Sequence, residues 1–195
     1  LLRRLTREAN ACFIVDDYVD LAILAEADGV HVGQEDFPVP QVRALVGPDM
    51  LIGLSTHNPE VALLACDEPE IEVIMFSLNP AFDMMPASED LEDLFGDYEN
   101  VAGDGIEPTR ARLYARAEET ETALTVMKGY AGGRLLSADA SPFGVALTPV
   151  QCIHYALTRP AVASIMVGFT TPEHVAEAVA YETAGPEERD YASVL

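Results

Sequence analysis

Lysine is almost absent from this 195-residue chain. Lys128 is the only one, and 11 basic side chains face 33 acidic ones, a formal charge of −22. A surface of that sign repels phosphate backbones, so nucleic acid is excluded as a partner. Cysteine is scarce too: Cys12, Cys66 and Cys152 are widely spaced in apolar segments. That spacing excludes a Cys-x-x-Cys metal site and an even-numbered disulfide framework, and leaves reduced thiols packed as small hydrophobes. No apolar run approaches the roughly 18 residues of a membrane span, and the residues from Leu1 onward do not read as a charged-then-apolar leader. We therefore expect a soluble, cytoplasmic chain without a membrane partner. Hydrophobic residues make up 49% of the chain, enough for one core. Its length nevertheless falls short of the about 250 residues of a complete eight-unit β/α barrel.

What is present is a repeated alternation of short apolar runs and capped amphipathic segments. Strands are expected at 12–15, 30–32, 51–54, 73–78, 124–127 and 163–167, with helices at 1–10, 19–27, 41–46, 60–66, 109–120, 148–157 and 172–181. Asn58-Pro59 supplies an N-cap acceptor and a fixed φ at the first helical position, and Thr148-Pro-Val-Gln151 reads as a capping box. Strands separated by helices call for a parallel sheet, because parallel neighbours need crossover connections. The expected fold is therefore α/β: an incomplete (β/α)8 TIM-barrel-like parallel sheet of about six β/α units, in one structural domain. Its first and last strands would be open edges, which invites a homodimer or a covering helix. An acidic insert, 81–107, interrupts the order with nine carboxylates and with Met84, Met85, Phe95 and Tyr98 scattered through it.

Residues 12–58 resemble thiamine phosphate synthase. The strings that carry the likeness are FIVDDYVDLA, ADGVHVGQEDFPVPQVRALVG (27–47) and LIGLSTH. The resemblance implies that 1–58 supplies the third to fifth strands of a barrel. It also implies that Asp17, of the Asp16-Asp17 pair, and Asp36 hold Mg²⁺ on a substrate pyrophosphate that Ser55 contacts. Hard oxygen ligands suit that ion. The local alternative stays open: Asp17 can cap the helix starting near Val19, and Asp36 the one entered through Pro38. His31, on a short apolar strand, reads as a packed, hydrogen-bonded histidine.

From Ile71 onward the chain resembles a bacterial branch of the aldo/keto reductases whose members often end in an iron–sulfur motif, absent here. VIMFSLNPAFDM, ALTVMKGYAGGRLL and LTPVQCIHYALTRPAVASIMVGFTTPEHVAEAVAY carry that likeness. It implies that 59–195 supplies the sixth to eighth strands. It also implies that NADP or NAD lies against Ser55, Thr56 and His57, with its phosphates held by Lys128, Gly129, Gly132, Gly133 and Arg134 and by Gly168, Thr170 and Thr171. Glycines let backbone approach phosphate, and a helix N-terminus attracts anions. Without the likeness, Gly132-Gly133 is equally a plain turn and Thr171 a plain N-cap.

LIGLSTHNPE fits both families at the same fifth strand, so it reads as a seam between two barrel types. The reductase tetrad of Asp, Tyr, Lys and His has no complete counterpart, and the synthase's later pyrophosphate-gripping cations have none after Asn58. No catalytic residue is assigned. The expectation is a reductase-like oxidoreductase of small-molecule or nucleotide ligands, weak or inactive in this chain. Its rivals are thiamine phosphate synthase and a catalytically silent hybrid.

Overall fold

Each short apolar run becomes a strand because its alternate side chains find a helix to pack against. In the computed structural model, which describes residues 1–33, 35–85 and 105–195, six strands form one sheet: β1 (Ile14–Asp16), β2 (Gly29–Val32), β3 (Leu51–Thr56), β4 (Val73–Ser77), β5 (Ala123–Met127) and β6 (Val162–Ile165). Their spatial order is β1-β2-β3-β4-β5-β6, and every pairing is parallel. This is the expected TIM-barrel-like fold, with β1 and β6 as edges among the described residues. Before β1 comes α1 (Leu2–Glu8), between the strands run α2 (Val19–Leu24), α3 (Val39–Val46), α4 (Pro59–Ala65), α5 (Pro80–Asp83), α6 (Pro108–Glu119) and α7 (Pro149–Leu157), and after β6 come α8 (Pro172–Val179) and α9 (Pro186–Arg189).

Local chemistry sets the helix starts. Asn58 accepts from the backbone N–H groups of Glu60 and Val61, and the Thr148–Gln151 capping box forms as its sequence predicts. Each such cap contributes about 1 kcal/mol. Asp17 and Asp36 do not serve this way: the N-cap positions of α2 and α3 are Tyr18 and Pro38, and neither helix receives a side-chain cap.

The helix-facing side of the sheet carries Val30, Val32, Ile52, Leu54, Ile74, Phe76, Leu124 and Val126. Two apolar clusters lie there, one under α2 and α3 and the other under α4, α6 and α7. Alternation sends His31, Gly53, Ser55, Met75, Ser77 and Thr125 to the opposite face. The core thins at both ends: α1 and α8 bury no residue, and Leu2, Leu21, Leu24, Met166 and Val179 are exposed.

Where the sequence suggests the start of an acidic insert, Ala81, Phe82 and Asp83 are fully buried and belong to α5 or its packing. Asp83 accepts hydrogen bonds from the Tyr114 and Tyr155 hydroxyls, and Arg110 lies 3.5 Å away. Phe95, Tyr98 and most of the segment's carboxylates lie outside the described residues.

Candidate functional site

Parallel register places a row of polar groups along the carboxyl ends of the strands. Asp16 pairs with His31, and His31 with Gly53. Gly53 leaves room for the imidazole, since a Cβ built there would lie 2.3 Å from His31 Nδ1. The ring therefore crosses the β3 backbone and reaches the next residue on that face, with His31 Nε2 2.6 Å from Ser55 Oγ. Burial holds the imidazole below its ordinary pKa, with Asp16 and Asp17 pulling the other way.

Asp17 follows β1 directly and has φ of +62°, a left-handed conformation uncommon outside glycine. Its N–H donates to the His31 carbonyl at 2.8 Å. Asp36, after the neighbouring strand β2, is close enough for its charge to act on the Asp17 carboxyl. The Asp16 charge, partial desolvation and then Asp36 raise the Asp17 carboxyl above its ordinary value. Asp36 Oδ2 in turn accepts the Gly33 N–H at 2.7 Å, closing a tight loop after β2. Asp17, Asp36, His31 and Ser55 thus stand at three neighbouring strand ends.

A second imidazole–hydroxyl pair repeats one strand along. His57 Nδ1 lies 2.5 Å from Ser77 Oγ, and burial followed by the nearby Lys128 charge lowers the His57 pKa. Lys128 follows β5 as Asp17 follows β1, also with positive φ, at +64°. Buried Asn79 holds it there, donating from Nδ2 to the Lys128 carbonyl at 3.0 Å while accepting the Phe82 N–H. Strained non-glycine conformations of this kind persist where the surroundings over-determine them, and they concentrate at functional sites.

The remaining residues implied by the two resemblances are placed as follows by the fold. Thr56 sits on the helix-facing side because side chains alternate along β3, and its hydroxyl accepts the Asn58 N–H at 3.1 Å. Gly129 packs toward β6, where a Cβ would lie 2.6 Å from Ile165 Cδ1. Gly132 and Gly133 take φ of +67° and +91°, a turn leading into the Arg134 segment. Gly168, Thr170 and Thr171 are exposed beyond the edge strand β6. Thr171 caps α8 through the His174 N–H, and Thr170 Oγ1 lies 3.1 Å from His174 Nδ1.

Gly53, Ser77 and Asn79 are the site residues that the sequence does not single out. Gly53 carries a signal, since a lone glycine inside a strand pattern marks a close approach. Asn79-Pro80 repeats the Asn-Pro cap recognised at Asn58-Pro59.

Comparison with known proteins divides the chain. Residues 1–77 match the family model described as thiamine monophosphate synthase. The N-terminal part is thiamine-phosphate-synthase-like. The thiamine-phosphate synthase of Lawsonia intracellularis is 58% identical over 66 residues, covering 34% of this chain and 30% of that protein. That of Pelotomaculum thermopropionicum is 59% identical over 64 residues, 33% of this chain and 29% of that protein. The matched stretch thus spans about a third of the length of these relatives. Among solved structures, an aldo-keto reductase from Bacillus halodurans in its apo form superposes with a TM-score of 0.62 at 16% identity, covering 96% of this chain and 72% of that one. Thiamine phosphate pyrophosphorylase from Pyrococcus furiosus superposes with a TM-score of 0.50 at 21% identity, covering 99% and 71%. These two likenesses establish the barrel-like fold alone.

Proposed function

We propose that the carboxyl ends of β1 to β3 bind a pyrophosphate together with Mg²⁺, as the substrate end of a thiamine-phosphate-synthase-type site. The observation that carries this reading is the placement of Asp17 and Asp36 after the paired strands β1 and β2, with the Asp17 N–H bonded to the His31 carbonyl at 2.8 Å and Asp36 bonded to the Gly33 N–H. Neither caps a helix, so capping does not account for their placement. Among the described residues no three His, Cys, Asp or Glu side chains form a metal-holding group. Two carboxylates alone suit Mg²⁺, which is usually held by one or two acids with substrate phosphates and waters completing its shell. Bound there, the ion would neutralise charge developing on a departing pyrophosphate. Asp17 and Asp36 would hold it, and Ser55 would donate its hydroxyl to a phosphate oxygen.

Binding rather than turnover is expected of this chain alone. Preorganised cations normally do most to stabilise a leaving anion. Lys128 and Arg134 lie beyond β5, strands away from the two acids. The test is calorimetric titration of the chain with inorganic pyrophosphate in the presence and absence of Mg²⁺. Magnesium-dependent binding that Asp17→Asn and Asp36→Asn each abolish is the expected result. Binding indifferent to Mg²⁺, or untouched by both substitutions, overturns the reading.

A second reading, a nicotinamide dinucleotide lying against His57, Lys128 and Arg134, is favoured by one observation: Asn79 holds Lys128 in its left-handed conformation at a strand end. Its other half would rest on Gly168 to Thr171, where Thr171 already caps α8 at the exposed margin of β6. NADPH fluorescence titration separates the two readings, and no saturation at low millimolar concentration removes this one.

A further inference from the structure

We propose that His31 is the positioning residue of this site: its imidazole donates to Ser55 Oγ and so leaves the serine hydroxyl hydrogen free for an oxyanion. This role rests on the pyrophosphate reading and adds the group that sets the serine's polarity.

A serine hydroxyl has one hydrogen to donate and two lone pairs to accept with. If Nε2 of His31 is bare, the hydroxyl gives its hydrogen to the imidazole and turns lone pairs toward the ligand, which repels phosphate oxygen. If Nε2 carries the hydrogen, Ser55 accepts from the ring and its own O–H is released to donate. The 2.6 Å contact makes the two roles exclusive. Only the second arrangement suits an anionic ligand.

The fold builds this pair with some specificity. His31 is only 7% exposed. It crosses β3 at the one residue of that strand without a side chain, and any Cβ at Gly53 would collide with Nδ1. From the same residue, the His31 carbonyl accepts the N–H of Asp17 at 2.8 Å. His31 therefore ties the serine through its side chain and an acid through its backbone. Outer groups of this kind, which hold the contacting residues in place, typically change metal-site affinity by about 10- to 100-fold when removed.

The test uses the full chain and magnesium pyrophosphate as the probe. His31→Phe, which keeps the ring volume but no donor, should weaken calorimetric affinity roughly tenfold, and His31→Gln, which restores an N–H, should recover most of it. In a Ser55→Ala background His31→Phe should have no further effect, which a general packing role would not produce. Nitrogen-15 shifts of the imidazole should show the hydrogen on Nε2. If His31→Phe fails to fold, Gly53→Ala displaces the ring without altering it and should reproduce the loss. Wild-type affinity in folded His31→Phe, additivity with Ser55→Ala, or a hydrogen on Nδ1 with Nε2 bare overturns the positioning role. Failure of the unsubstituted chain to bind magnesium pyrophosphate overturns the site reading, and the positioning role with it.

Discussion

The Tyr155 hydroxyl donates to Asp83 Oδ2 at 2.8 Å, joining two residues 72 positions apart inside the apolar layer. Tyr114 donates to the other oxygen at 2.5 Å, and Arg110 lies 3.5 Å from it. Burial pushes the Asp83 carboxyl up, while Arg110 and the two hydroxyls pull it down. The cluster pins α5 to α6 and α7.

Tyr114→Phe and Tyr155→Phe should each destabilise the fold by about 1–3 kcal/mol, the consequence of leaving a buried acceptor unsatisfied. Asp83→Ala should cost more, about 3–5 kcal/mol, because Arg110 then stays buried without its counter-charge. Urea unfolding of the three variants checks the ranking, which equal midpoints would contradict.

Tyr130 presents the opposite case. Its hydroxyl is buried without a hydrogen-bond partner among the described residues, and burial raises its pKa to about 12. Removing an unsatisfied group relieves a desolvation penalty, so Tyr130→Phe should leave stability unchanged or raise it by about 1 kcal/mol. Thermal melts decide this, and a clear loss would reveal a partner for the hydroxyl.

Asp28 fastens α1 to the sheet. Both its oxygens accept from Arg3, at 2.6 and 2.8 Å, and Oδ2 also accepts the Phe13 N–H. Arg3 first, then that N–H, hold the carboxyl below its ordinary value of 3.8. A lowered folded-state pKa means a contribution fully present above that ordinary value and lost as pH falls through the folded one. Backbone NMR of residues 2–8 should therefore show α1 intact at pH 5 and detaching only below about pH 4. Detachment already between pH 6 and 5 would show that another group controls it.

The two ends of the sheet expose apolar side chains on α1, β1, α2 and α8 and at Met166 after β6, and among the described residues β1 and β6 are the edges. Edges of this kind pair readily, but a charge of −22 opposes approach of a second copy. Sedimentation velocity should show self-association that grows between about 0.05 and 1 M salt, as the Debye length shrinks from above 10 Å to about 3 Å. A monomer at every salt concentration would mean that the ends are better covered than their exposure implies.

The strand–helix alternation, the caps at Asn58 and Thr148 and the left-handed turn at Gly132-Gly133 were determined by sequence within a few residues. Their physics is local: side-chain period, a hydroxyl or amide reaching an N–H two or three residues on, and freedom from a Cβ clash. The parallel sheet followed as well, because strands alternating with helices have few other ways to pair. Tertiary structure alone decided where the acids went. Asp17 and Asp36 each had a helix to cap and capped neither, because the Asp17 N–H bonds the His31 carbonyl across the β1–β2 register and Asp36 accepts the Gly33 N–H. His31 and Ser55 became partners through the β2–β3 register and the missing Cβ of Gly53. Asp83, an acid in an acidic stretch, entered the core because α6 and α7 delivered two tyrosines and an arginine to it. Apart from the Asp36 bond to Gly33, each of these outcomes depends on contacts between segments 15 to 72 residues apart, whose relative placement no local period or cap encodes.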